Sequence, residues 1–273
     1  MITVNIPEIL LAGHRSDAVI LRTADPGALL PALQSQDLGR LVCLQILDPA
    51  ADLRPLVDLE NVGPVELILP NTEAALPHLY RVADLVKVCP VRVVLDVSPG
   101  FLKPLRLAAS LHCAVKLDVG QPAPPVVAEL LDALAFYLHG TGVTEPVEFF
   151  HSLLMACFHE VPISLWDIQE EDPATFRYIT DDGRETPVGR LAHLPLAELL
   201  TPDGACNAER LSAHAECGPC PYRQPCGGYF KWPDPDYSCK GVKEVFGRIE
   251  AAARDLKGDI EAHAQAMRGG DGE

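Results

Sequence analysis

VRVVLDVSPGFLKPLRLAASLHCAVKLDV, residues 91–119, reads as strand, helix, strand. VRVVLDV (91–97) and CAVKLDV (113–119) are short runs rich in Val and Leu, suited to a pleated, buried setting. Between them FLKPLRLAASLH (101–112) spaces its apolar residues at helical intervals. A strand, a crossover helix and a second strand form a βαβ unit, which pairs its strands in parallel.

The same unit recurs toward the N-terminus. Strand-like runs lie at AVILRT (18–23), RLVCLQIL (40–47) and VELIL (65–69), so the five strands start 22–26 residues apart. EAALPHLYRVADLV (73–86) supplies another helical connection. Strands alternating with helices predict a mostly parallel sheet covered by helices. Five βα units predict a partial or full α/β barrel, with an open doubly wound sheet as the alternative.

Beyond residue 145 the pattern changes. EPVEFFHSLLMACFHE (145–160) reads as a helix. ISLWDIQ (163–169) and TFRYIT (175–180) read as strands, with DDG (181–183) as a turn between strands. From about residue 186 the chain is loop-rich. GVKEVFGRIEAAARDLKGDIEAHAQAM (241–267) reads as a long amphipathic helix. The expected division is an α/β domain over 1–160, a cysteine-rich module with its helix over 161–267, and a disordered tail over 268–273.

The chain has 273 residues, 48% of them hydrophobic, and a formal net charge of -16. The acidity belongs to the front: residues 1–216 carry a net -15 and residues 217–273 a net -1. Such a balance argues against nucleic acid or an anionic membrane as partner, since both select for clustered Lys and Arg. It suits a basic peptide or protein partner, and it also serves solubility. MITVNIPEILLAGHRSD has no basic region before its apolar run, so no secretory signal is expected. PPVVAELLDALAFYLHG (124–140) is interrupted by Glu129 and Asp132, so it reads as an amphipathic helix and not a membrane span. A cytoplasmic protein is expected, and there clustered cysteines are metal ligands more often than disulfides.

Nine cysteines are present. Cys43, Cys89, Cys113 and Cys157 lie in apolar surroundings and read as small buried hydrophobes. Cys217, Cys220, Cys226 and Cys239 follow the spacing C-x2-C-x5-C-x12-C. A Cys-x-x-Cys turn brings two thiolates to one ion or cluster, and the surrounding Gly and Pro residues let backbone N–H groups face sulfur. Four thiolates suit tetrahedral zinc or an iron–sulfur cluster, and spacing alone slightly favours zinc. Disulfide pairing comes third.

CGPCPYRQPCGG, followed by Cys239, resembles the signature of SPASM domains. These are the C-terminal iron–sulfur modules of many radical-SAM peptide-modifying enzymes. That signature is a C-x2-C-x5-C-x3-C core with a further cysteine downstream. A complete domain of this kind holds two auxiliary 4Fe–4S clusters. The resemblance implies that Cys217, Cys220, Cys226 and Cys239 hold one of them. The fourth core position is Phe230, so the second cluster lacks a ligand. Cys206 is the one cysteine close upstream and is a possible additional ligand. One 4Fe–4S cluster is therefore expected.

Radical-SAM enzymes also carry a C-x3-C-x2-C loop after the first barrel strand, and a glycine-rich stretch after the second. Here those places read ADPGALL and LQILDPAADL. Cleavage of S-adenosylmethionine is not expected, nor is independent catalysis. The chain resembles the small stand-alone SPASM proteins of peptide-maturation systems, such as the GeoRSP type, with a degenerate radical-SAM-like partial barrel. That likeness implies a radical-SAM/SPASM maturase or its ribosomally made peptide as partner. The role implied is electron relay, structural support or partner binding. A structural zinc module is the alternative, as is a non-radical enzyme working at the barrel rim.

The rim residues after predicted strands are Asp48, Asn71, Asp96, Ser98 and Asp118. Each also suits a helix-capping role. A rim enzyme requires Asp48, Asp96 and Asp118 to converge in a deep pocket with shifted carboxylate pKa values. Arg223, Lys231 and Lys240 lie near the cysteines and suit offsetting a cluster's negative charge. Trp166, Phe176 and Tyr178 read as sheet core. The nine histidines form no recognisable site, and no phosphate loop or nucleophile elbow is present.

Overall fold

The computed structural model describes residues 2–13, 18–29, 38–58, 63–70 and 74–269. Its centre is a nine-stranded sheet: β1 (Thr3–Pro7), β2 (Ala18–Thr23), β3 (Leu41–Ile46), β4 (Val65–Leu69), β5 (Val91–Asp96), β6 (Ala114–Asp118), β7 (Val147–Glu148), β8 (Phe176–Ile179) and β9 (Glu185–Thr186). The order is β7-β6-β5-β4-β3-β2-β1-β8-β9. Every pairing is parallel except the β8–β9 hairpin, where Tyr178 faces Thr186.

This order decides between barrel and doubly wound sheet. A doubly wound sheet reverses its strand order at a switch point. Here the order runs monotonically from β1 to β7, and β8 returns to the far side of β1. That is a singly wound barrel left open between β7 and β9. Residues from β1 to β6 and from β8 line one common pocket. Strands stand roughly 4.8 Å apart, so seven of them share a pocket only when the sheet curls around it.

The outward residues of the strands are apolar and fully buried under helices: Val19, Leu21, Leu44, Ile46, Leu67, Val93, Leu95, Val115 and Leu117. The inward residues carry one long polar side chain per strand: Asn5, Arg22, Gln45, Glu66, Arg92 and Lys116. The helices Leu102–Ser110, Pro124–His139 and Phe150–His159 cover the outside. The long C-terminal helix, Lys240–Gly269, packs on the last two of these. Its buried stripe is Val242, Val245, Phe246, Ile249 and Ala253, at helical intervals.

Three expectations need correction, and one strand had not been foreseen. ISLWDIQ is not a strand: Leu165–Ile168 is a helical turn, because the Ser164 hydroxyl caps it by accepting from the Trp166 N–H at 3.2 Å. β1 carried no strand signal beyond five residues that include Asn5 and Pro7, yet it fills the slot between β2 and β8. The 73–86 helix is two short turns, Leu76–Leu79 and Val82–Leu85. The final helix continues to Gly269, into the expected tail, whose residues 270–273 lie outside those described.

Candidate metal centre

Glu216–Lys231 and Cys239–Phe246 wrap one small, tight pocket. Cys217, Cys220, Cys226 and Cys239 all line it, together with Phe230, Lys231, Lys243 and Phe246. The four cysteines predicted from spacing are therefore brought together. They ring a space without meeting at a point: among the described residues no three His, Cys, Asp or Glu side chains converge tightly enough to grip a metal ion. The thiols act on one another electrostatically, Cys220 on Cys217, Cys217 on Cys226, and Cys226 on Cys239.

The backbone around Cys226 is built for a thiolate. Arg223–Cys226 is a helical turn that ends with Gly227 at φ 54° and Gly228 at φ 78°. This left-handed pair turns the N–H groups of Gly228, Tyr229 and Phe230 onto the Cys226 sulfur. Burial raises the Cys226 pKa, and these three donors oppose it. A Cβ on Gly228 would lie 2.1 Å from the Leu211 carbonyl oxygen, so only glycine fits there.

Two lysines add positive charge. Lys231 is 4% exposed, and its ammonium lies 2.7 Å from Glu216 and donates to the Tyr237 carbonyl at 2.5 Å. Lys243 reaches the other Glu216 oxygen at 2.7 Å. Arg223 also lines the pocket. Lys240 does not: it sits at the surface, and Lys243, one helical turn on, takes the place expected for it. Spacing could have found Lys243, since residues i and i+4 from Cys239 share a helix face.

Cys206 is not part of this wall. Burial, with the nearby Asp172 and Asp167 charges, pushes its pKa up to about 12. Cys43 and Cys113 are buried as expected; Cys89 is half-buried and Cys157 is exposed.

The cysteine segment is anchored to the barrel at the end of β6. The Gln121 amide donates to the carbonyls of Phe230 at 2.9 Å and Asp234 at 2.7 Å. Arg190 pairs with buried Glu171 at 2.9 Å, donates to the carbonyls of Val119 and Trp232, and stacks on the Tyr229 ring at 3.7 Å. Trp166 meets the other side of this region, edge-on to Tyr229 at 4.9 Å.

The rim residues do not form the expected triad. Asp48 accepts from the Ala50 N–H at 2.8 Å, a local turn cap, and lies outside the lumen pocket. Asp96 also lies outside it, and the Ser98 carbonyl closes a turn to Phe101. Asn71 lies outside the described residues. Asp118 alone lines the lumen, where burial raises its pKa against the pull of Arg190 and Lys116. Trp166 packs beside the cysteine segment rather than in the sheet, and Tyr178 lies under the Arg22 guanidinium at 4.0 Å.

These features define an α/β protein with an open, singly wound barrel and a four-cysteine pocket docked at one strand end. No family model matches the chain, and no curated protein matches it. Among solved structures it is similar to native anSMEcpe with bound AdoMet, with a TM-score of 0.61 and 13% identity over 94% of this chain and 100% of that one. It is also similar to native anSMEcpe with bound AdoMet and the Cp18Cys peptide, with a TM-score of 0.59 and 13% identity over 93% of this chain and 100% of that one. At this identity the likeness is one of fold: the chain shares the mixed α/β architecture of that protein. Among the described residues no helix is long and apolar enough to cross a membrane.

Proposed function

We propose that this protein holds one 4Fe–4S cluster on Cys217, Cys220, Cys226 and Cys239 and serves as an accessory to a radical-SAM/SPASM maturase acting on a ribosomally made peptide. The observation that carries the reading is the ring of four thiols around a pocket, with three backbone N–H groups aimed at Cys226. Zinc draws four sulfurs to about 2.3 Å from a single ion. Thiols spread around a pocket suit a polynuclear group better. When bound, such a cluster supplies one-electron transfer.

The chain's own residues do the rest. Lys231 and Lys243 offset the thiolate charge, with Glu216 holding both ammonium groups in place. Phe230, 1% exposed, fills apolar space where the SPASM signature has a further cysteine. Arg190 and Gln121 fix the pocket to the barrel. The absence of a C-x3-C-x2-C loop supports a protein that does not itself cleave S-adenosylmethionine, although both similar structures bind AdoMet. The acidic front of the chain suits a basic maturase surface or leader peptide.

The test adds anaerobically reconstituted protein to a radical-SAM/SPASM maturase and its peptide. Product yield rises with the wild type and does not rise with Cys226→Ser. Equal yield with both would refute the accessory role.

A further inference from the structure

The lumen of the open barrel contains a second pocket, remote in chemistry from the cysteines. Its cavity of about 210 Å³ is smaller than a drug-sized site and has room for a small group. Its wall is a preformed hydrogen-bond chain. Asn5 donates to Gln45 at 3.1 Å, Gln45 to Glu66 at 2.6 Å, and Arg92 bridges Glu66 at 2.8 Å and Glu170 at 2.7 Å. Lys116 closes the chain on Glu170 at 2.5 Å. Glu171 is held by Arg190 beside Gly189, where a Cβ would lie 2.0 Å from the Glu171 carboxylate.

Two groups on this wall are left over. Gln169 is 4% exposed, and its Nε2 has no hydrogen-bond partner. Its amide orientation is set by the Val119 N–H, which donates to Gln169 Oε1 at 3.4 Å and so leaves the NH2 group to the lumen. Asp118, the residue before Val119, is the other. Glu66, Glu170 and Glu171 each have a cationic partner in contact, whereas Asp118 has no ion pair or side-chain hydrogen bond among the described residues. A buried donor without an acceptor is costly to leave, whereas Asp118, exposed at the end of β6, keeps water on its carboxylate until a ligand's donor or cation replaces it. Ile20, Ile68, Val94, Phe176 and Val188 supply an apolar wall to the same pocket.

We propose that the barrel lumen binds an α-ammonium carbonyl group with an apolar side chain, its ammonium on Asp118 and its carbonyl oxygen on Gln169 Nε2. A free aliphatic amino-acid derivative and the N-terminus of a peptide share this chemistry. The inference is independent of the cysteine pocket and of any cluster.

Calorimetric titration of the full-length protein with leucinamide, N-acetyl-leucinamide and a leucine-led tripeptide is the test. Leucinamide binds, and its acetylated form, which lacks the ammonium, binds at least tenfold more weakly. Gln169→Leu and the isosteric Asp118→Asn each weaken leucinamide at least tenfold, while circular dichroism stays that of the wild type. Tighter binding of the tripeptide assigns the site to a peptide N-terminus; weaker binding assigns it to a free small molecule. Absence of binding by both unblocked probes would overturn the proposal. So would equal binding of the acetylated form, or binding unchanged in two folded variants.

Discussion

The indole N–H of Trp166 donates to the carbonyl of Gly227 at 3.0 Å. This bond ties the turn ahead of β8 to the residue that follows Cys226, and so braces the bend that aims three N–H groups at that sulfur. Trp166→Phe keeps most of the ring and removes the donor. Loss of one part-buried hydrogen bond costs about 1 kcal/mol. The expected result is a fall of that order in urea unfolding free energy, together with faster bleaching of the reconstituted protein in air. An unchanged bleaching rate would show that the bend holds without Trp166.

Gly228 and Gly204 make a paired test of backbone shape. Both have positive φ, 78° and 81°. A Cβ on Gly228 meets the Leu211 carbonyl oxygen at 2.1 Å, while one on Gly204 meets nothing within 4 Å. Gly204→Ala pays only the left-handed penalty, about 1–2 kcal/mol. Gly228→Ala adds a backbone collision, with a total of about 3 kcal/mol or more, and it disrupts the thiolate nest. Thermal unfolding of the two variants checks the difference.

Asp118 predicts a dependence on pH. Asp118 is exposed at the end of β6, yet the lumen wall around it desolvates its carboxylate and raises its pKa, so between the ordinary and the raised value the folded state keeps a proton that the unfolded state has released. The folded state then binds more protons than the unfolded one between the ordinary and the raised value. Stability contributed by this group is therefore full below the ordinary aspartate pKa and is lost as pH rises through the raised value. Asp118→Asn removes the effect. Urea unfolding of both proteins, compared at each pH from 4 to 8, should show the variant gaining on the wild type as pH rises. A constant difference would contradict the assignment.

Lys231 and Glu216 predict opposite shifts of cluster potential. Reduction adds negative charge, which a buried ammonium stabilises and a carboxylate opposes. Lys231→Gln should move the midpoint to more negative values and Glu216→Gln to more positive ones; Lys231→Arg should restore it. Spectroelectrochemical titration of the reconstituted protein reads all three.

The fold was legible where chain periodicity states it. The strands of β2 to β6 follow from Val- and Leu-rich runs at regular intervals, and the four clustered cysteines follow from their spacing. Other features depended on partners distant in sequence. β1 is a strand because β2 and β8 flank it, not because TVNIP has strong strand propensity. ISLWDIQ alternates like a strand, yet the Ser164 cap turns it into a helix. The lumen network did leave a trace, one long polar residue inside each apolar strand, from Arg22 through Gln45, Glu66 and Arg92 to Lys116. Those letters gain meaning only when the sheet curls and makes them neighbours. Lys243 was legible only as the i+4 neighbour of Cys239, and Gln169 carries no motif at all; its burial alone marks it.

Iron and acid-labile sulfide analysis of anaerobically reconstituted protein reads the cluster itself, with Cys226→Ala and Cys206→Ser beside the wild type. About four irons and four sulfides per chain are expected for the wild type and for Cys206→Ser, with marked loss of both for Cys226→Ala. Zinc without iron in the wild type, or full iron content in Cys226→Ala, would contradict the proposed cluster.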